Sequence, residues 1–236
     1  FARQVAFLDA HPDVALVASA CRLLRDGQEQ PWPMLEGLTP ASIDWLMMLC
    51  NPLAWSSVMF RADAARRLVP LERQEVLYAE DFDLYQRIRA FGKIARMDTP
   101  LLVYRCHAQG ASKRFEDAMC TSATRVLAER YRAIFGDRAE EYAALVGRHL
   151  MHGEVVPDLA TLRKVVGIMA LLHSHFLDHH APDAASRVII DREYTRLWWM
   201  LVRPALRWGV VQVRDVPALR PSDIPLSLRQ PDWLLS

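Results

Sequence analysis

The chain has 236 residues, enough for one or two domains. At 52% hydrophobic and 24% charged, its composition is that of an ordinary globular protein, which excludes a disordered chain, a collagen-like repeat and a disulfide-dense miniprotein. Lys and Arg total 29 against 28 Asp and Glu, a net charge of +1, so no global field draws the chain to nucleic acid and no such partner is expected.

Phe1, Val5 and Leu8 share one face of a helix that His11-Pro12 ends. Phe1 already lies inside this pattern, as in a chain entered partway through a domain. Val14–Ala18 is a continuous apolar run, expected of a strand buried on both faces, and Asp26-Gly27 is a tight-turn signal. Pro31, Pro33, Gly37 and Pro40 predict a loop over 28–40, followed by a helix over Ala41–Cys50. Ser56–Phe60 reads as a strand and Asp63–Leu68 as a short helix. Asp81–Phe91 reads as an amphipathic helix stopped by Gly92, and Ile94–Met97 and Leu101–Tyr104 as strands. This mixture predicts an α/β layered unit.

From Phe115 the spacing turns wholly helical. Met119, Ala123, Val126, Leu127, Tyr131 and Ile134 mark one helix, closed by Gly136. Tyr142–Leu150, Leu162–Leu177 and Asp191–Leu206 mark three more. Pro217, Pro221, Pro225 and Pro231 predict a tail without regular structure. The expected organisation is therefore an α/β region over 1–113, an all-α region over 114–215 and a Pro-rich tail over 216–236.

No stretch offers the roughly 20 uninterrupted apolar residues of a membrane helix. Trp45–Phe60 is broken by Asn51-Pro52, Val165–Leu177 by His173 and His175, and Leu197–Val202 ends at Arg203-Pro204. Cys21, Cys50, Cys106 and Cys120 form no Cys-x-x-Cys pair and read as reduced, largely buried thiols of a cytosolic protein.

The string richest in chemistry is Ala79-Glu-Asp-Phe-Asp-Leu-Tyr-Gln-Arg-Ile-Arg89. Acids at the start of a helix complement its dipole and cap free N–H groups. A carboxylate placed beside an acceptor pocket can instead take a proton from an attacking hydroxyl. Two further strings bear on the choice: Asn51-Pro-Leu-Ala-Trp-Ser-Ser-Val-Met-Phe-Arg61 and Pro100-Leu-Leu-Val-Tyr-Arg-Cys-His-Ala-Gln-Gly-Ala-Ser112. In this order and at these separations, and with the opening Arg3–Val17, the three strings resemble the second half of family 2 glycosyltransferases of the GT-A fold. The resemblance covers residues 1 to about 113.

That resemblance implies an inverting transfer of a sugar from a nucleotide diphosphate donor to a hydroxyl acceptor, in glycan or cell-surface polysaccharide synthesis. It implies Asp81 as the catalytic base with Glu80 beside it, and Arg105 and His107 near the donor diphosphate. His107 would be a ligand of a divalent cation, Mn²⁺ or Mg²⁺. Ser56 and Ser57 would lie on the strand lining the acceptor side. Asp81-Phe-Asp83 also spells Asp-x-Asp, but it opens a helix, and Asp83 reads as a first-turn residue rather than a metal ligand. The family's donor half, with its upstream Asp-x-Asp, and the later Gln-x-x-Arg-Trp string do not occur here. Half of such a sheet would expose edges and apolar surface, which favours association with another molecule, including a second copy. The alternative is a non-catalytic binding or scaffold module built on the same fold.

In the helical region, His149 and His152, with Glu154, and His175 and His179, with Asp178, could each share a helix face; their default reading is hydrogen-bonded or solvated histidines. Trp198, Trp199, Arg203, Arg207 and Trp208 form an aromatic and basic cluster. Inter-helix packing is the first reading for it, peripheral membrane contact, at the inner membrane of a bacterium, the second, and sugar stacking or another binding role the third.

Overall fold

A computed structural model describes residues 1–31, 36–107 and 114–221. The chain divides into two compact units: Phe1–Met47 with Asn51–Val126, and Met48–Cys50 with Leu127–Ser236. The first is mixed α/β and the second is helical.

The first unit opens with α1 (Ala2–Ala10), whose Leu8 packs with Val14, Val17 and Ala95. Strand β1 (Val14–Arg25) is longer than the apolar run suggests. Leu16, Val17 and Ala18 are fully buried, while Ser19–Arg25 continues as one arm of a hairpin with β2 (Gln28–Pro31). Asp26 and Gly27 both take positive φ, +50° and +78°, as the two-residue hairpin turn requires. The loop expected from residue 28 therefore begins as a strand. Gln-Glu-Gln-Pro is exposed throughout and has no apolar alternation, so its pairing comes from the turn. Residues 32–35 of that expected loop lie outside the described ones.

Thr39 caps α2 (Pro40–Leu46), accepting a hydrogen bond from the Ser42 amide. Trp55–Ser57 forms a 3-10 turn and only Met59–Phe60 pairs as β3, so Ser56 and Ser57 do not lie on a strand as expected. The Ser57 hydroxyl donates to the Ala54 carbonyl at 2.8 Å, a local bond that competes with sheet pairing. The short α3 (Ala62–Arg66) follows. Arg61 before it donates through Nε to the Val14 carbonyl at 2.8 Å, tying β3 to the start of β1.

Helix α4 (Glu80–Ile88) buries Phe82, Leu84, Tyr85 and Ile88 and ends in a 3-10 turn at Arg89–Phe91. Gly92 has φ +155°, and a Cβ there would stand 2.9 Å from the Asp13 carbonyl oxygen. Only glycine lets the chain pass this close and enter β4 (Lys93–Arg105). The two predicted strands are one, paired in parallel with β1 from Val14↔Lys93 to Leu24↔Arg105. Its register shifts around Ser19–Cys21, opposite Met97–Leu102, where a bulge accommodates Pro100. β1 is thus central, with β2 and β3 antiparallel to it and β4 parallel.

Helix α5 (Glu116–Phe135) runs from the first unit's last residues into the second unit, where Tyr131 is buried and donates from its hydroxyl to the Met48 carbonyl at 2.6 Å. Helix α6 (Ala139–Val146) continues into a π-helical turn at Gly147–Met151. Asp158 caps α7 (Leu159–His180) and Asp183 caps α8 (Ala184–Arg207), each accepting a backbone N–H three residues on at 2.7 Å. These caps extend both helices beyond the stretches set by apolar spacing. The two helices form a hairpin whose core includes Leu162, Met169, Leu172, Phe176, Tyr194 and Trp198. The chain after Val216 is not wholly irregular. Val216–Leu219 forms α9, held by the indole N–H of Trp198 on the Leu219 carbonyl at 3.1 Å, while residues 222–236 lie outside the described ones.

Candidate active site around Asp81

The N-terminus of α4 carries three acids, and the fold gives each a different environment. Glu80 reaches back over the turn: its Oε1 accepts the Tyr78 amide at 2.9 Å and braces a residue held at φ +64°. Asp83 is fully buried, with its carboxylate between the guanidinium groups of Arg73 and Arg87, the latter at 2.7 Å. Arg87 also donates to the Pro70 and Leu71 carbonyls, both at 2.7 Å, so Asp83 anchors the segment before the helix.

Asp81 has no cationic partner among its hydrogen bonds. Its Oδ1 accepts the Phe82 amide at 2.7 Å and its Oδ2 accepts the Asn51 side-chain amide at 2.9 Å. Asn51 in turn accepts the Leu53 amide at 3.2 Å, which fixes its amide orientation. Burial pushes the Asp81 carboxyl above the ordinary aspartate range; the Phe82 and Asn51 donors oppose this and the Glu80 charge adds to it. The group is a desolvated carboxylate held by neutral donors, a more basic acceptor of protons than an exposed aspartate.

One helical turn on, Tyr85 is fully buried and its hydroxyl has no hydrogen-bond partner. Burial raises its phenol above the ordinary range, with the Asp81 carboxylate and then the Cys21 thiol adding to the effect. Trp55 lies against Tyr85, ring centres 6.1 Å apart, and stacks on Phe60 at 6.5 Å, yet is 40% exposed. Cys21 is buried, and burial raises its thiol while a bond to Ser57 lowers it. Cys21 also lines a cleft of about 230 Å³, together with Ser19, Leu53, Ala54, Arg96 and Asp98, among others; Asp81, Tyr85 and Trp55 are not among its lining residues. Arg96 is nearly enclosed and pairs with Asp98 at 3.2 Å, while Asp98 also accepts the Gly37 amide at 2.9 Å.

The structure therefore gathers Glu80, Asp81, Asn51 and Tyr85, with Ser57 joined through Cys21. Ser56 is exposed on the 3-10 turn. Arg105 and His107 are exposed at the end of β4, and no described hydrogen bond or ion pair links them to Asp81. Residues 108–112 of the string that contains them lie outside the described ones. Among the described residues no group of three His, Cys, Asp or Glu side chains is arranged to hold a metal ion. The donors present, a carboxylate already holding two N–H groups and a separate exposed imidazole, do not form a cation site.

Asn51, Tyr85 and Trp55 were not singled out by sequence. Tyr85 had a usable signal, four residues after Asp81 on the same helix face. The pairing of Asn51 with Asp81 spans 30 residues and had none.

In the helical unit the histidines have local partners. His149 bonds the Glu154 carbonyl at 2.8 Å, and His179 bonds the His175 carbonyl at 2.8 Å with the two rings stacked. Trp198 is buried, Arg203 lies over the Trp199 ring at 5.6 Å, and Trp208 is 74% exposed. No described helix is long and apolar enough to cross a membrane. Comparison with known proteins finds no matching family model, no matching curated protein and no matching solved structure.

Proposed function

We propose that this chain carries the acceptor side of an inverting glycosyltransferase, with Asp81 as the general base. The observation that carries the reading is the state of Asp81: a partly buried carboxylate with raised pKa, held by two neutral N–H donors at a helix start. In the proposed step Asp81 takes the proton of an acceptor hydroxyl. The oxygen attacks the anomeric carbon of the donor sugar from the face opposite the nucleotide diphosphate. The new C–O bond forms as the bond to the diphosphate breaks, and the leaving group departs with the electron pair. Asn51 keeps one carboxylate oxygen fixed, and Phe82 the other, so the base has a set direction. The resemblance of residues 1–113 to family 2 enzymes supports the same role. The divalent cation that the resemblance implies has no assembled site among the described residues, and no step is assigned to it.

The test is Asp81→Asn in a sugar-transfer assay with UDP-, GDP- and dTDP-sugars, alongside calorimetric titration of the nucleotides with and without Mn²⁺. A loss of about 10²–10⁴-fold in transfer is expected. Transfer that survives within about tenfold refutes the base assignment. A folded chain with no nucleotide affinity and no transfer favours the alternative, a non-catalytic binding module.

A further inference from the structure

Trp55 is a large aromatic ring that the fold holds rigidly and still leaves 40% exposed. Phe60 stacks behind it, with an interplanar angle of 19° at 6.5 Å, and Tyr85 supports it at 53° and 6.1 Å. The 3-10 turn that carries it is closed by the Ser57 hydroxyl on Ala54, and Gln4 donates to the Ser57 carbonyl at 2.9 Å. Two aromatic supports and two hydrogen bonds therefore set the ring's position before any ligand arrives. Such a preorganised surface costs little entropy to use.

Its neighbourhood is what distinguishes it from an incidental exposed side chain. Tyr85, the ring against which it rests, follows Asp81 by one helical turn. Asn51, which holds the Asp81 carboxylate, begins the segment Asn51–Trp55. The Tyr85 hydroxyl is buried and has no hydrogen-bond partner among the described residues. Tyr85 therefore links the apolar plate, through its ring contact, to the carboxylate one helical turn earlier. A pyranose ring has the matching chemistry: one face of C–H groups to lie on an aromatic ring, and hydroxyls at its edge for polar groups. A lipid chain would leave the polar groups unmet, and a charged peptide would find little opposite charge.

We infer that Trp55 is the stacking platform for a pyranoside acceptor, positioning one of its hydroxyls toward Asp81. This deepens the transferase reading and rests on it for the catalytic consequence, whereas sugar binding at Trp55 stands or falls separately.

The experiment uses the purified 236-residue chain and methyl glycopyranosides of glucose, galactose, mannose and rhamnose as probes. Saturation-transfer NMR and tryptophan fluorescence are read on wild type, Trp55→Ala, Trp55→Phe and Asp81→Asn, with circular dichroism to confirm folding. At least one glycoside is expected to bind and to shift the fluorescence of Trp55, seen as a difference from Trp55→Phe. Trp55→Ala is expected to weaken binding about tenfold or more, as loss of the covered apolar area requires, with Trp55→Phe in between. As a measurement independent of mutant folding, the bound glycoside should protect Trp55 of the wild type from N-bromosuccinimide. No binding by any of the four, or equal binding by wild type and a folded Trp55→Ala, overturns the inference. Binding at Trp55 without any Asp81-dependent transfer upholds the platform and overturns the catalytic reading. Asp81-dependent transfer with an acceptor KM indifferent to Trp55 does the reverse.

Discussion

Asp83→Asn should be among the most damaging conservative substitutions in the first unit, although Asp83 stands two residues from the proposed base. The carboxylate is fully buried, and its partners Arg73 and Arg87 have side chains only 19% and 23% exposed. Asparagine keeps the shape but removes the negative charge that two partly buried guanidinium groups share. Breaking a buried ion pair from one side costs about 3–5 kcal/mol. Domains commonly have about 5–15 kcal/mol in total, so this is a large share. With a urea slope of about 2 kcal/mol/M, the unfolding midpoint should fall by about 2 M. The two units need separate readouts, so urea unfolding should be followed by hydrogen exchange on peptides of 80–88 and of 162–177. Only the first should change. Release of Arg87 from Pro70 and Leu71 should also make 69–75 a site of early proteolysis. A midpoint shift below about 0.5 M in the first unit would refute the claim that Asp83 is an anchor.

Asp81→Asn should act in the opposite direction. Folding raises the Asp81 pKa, so its contribution to stability is fully present below the ordinary aspartate value and is lost as pH rises through the raised one. Asparagine avoids that loss, so the variant should be more stable than the wild type at neutral pH and no more stable below about pH 4. Thermal melts at both pH values decide it, and an equal gain at both would remove the electrostatic cause. Gly92→Ala should cost about 2–3 kcal/mol, because its Cβ meets the Asp13 carbonyl and Ala15 backbone at 2.9–3.0 Å at a φ of +155°. Gly167→Ala, in open space on the exposed side of α7, should gain about 0.5–1 kcal/mol. A melting temperature that does not fall for Gly92→Ala, or does not rise for Gly167→Ala, would contradict the corresponding expectation.

What the sequence makes legible is largely local. Apolar spacing locates the long helices, and the Asp26-Gly27 signal locates the hairpin turn. The acids of 80–83 are recognisable as a helix start. The rest depends on partners distant in sequence. Whether an acid in that run is paired or solitary depends on Arg73, ten residues back, and Asn51, thirty back. The strand expected at Ser56 fails because a serine hydroxyl satisfies a backbone carbonyl locally. β2 was missed because four exposed polar residues carry no periodicity, and only the preceding turn gives them a partner. The two strands expected at Ile94–Met97 and Leu101–Tyr104 are one, because the bulge opposite Ser19–Cys21 takes Pro100 into the ladder.

The parallel pairing of β1 with β4 also sets the order in which the first unit can form. The hairpin of β1 and β2 closes across two residues and can assemble as soon as both arms are made. The long ladder beside it joins residues 14–24 to residues 93–105, so it must wait for the whole intervening chain. Until then the apolar stretch Val14–Ala18 lacks its main neighbour. During synthesis at about 5–20 residues per second, that stretch stays open for several seconds. A nascent chain therefore carries Val14–Ala18 as an unpaired β edge for that time.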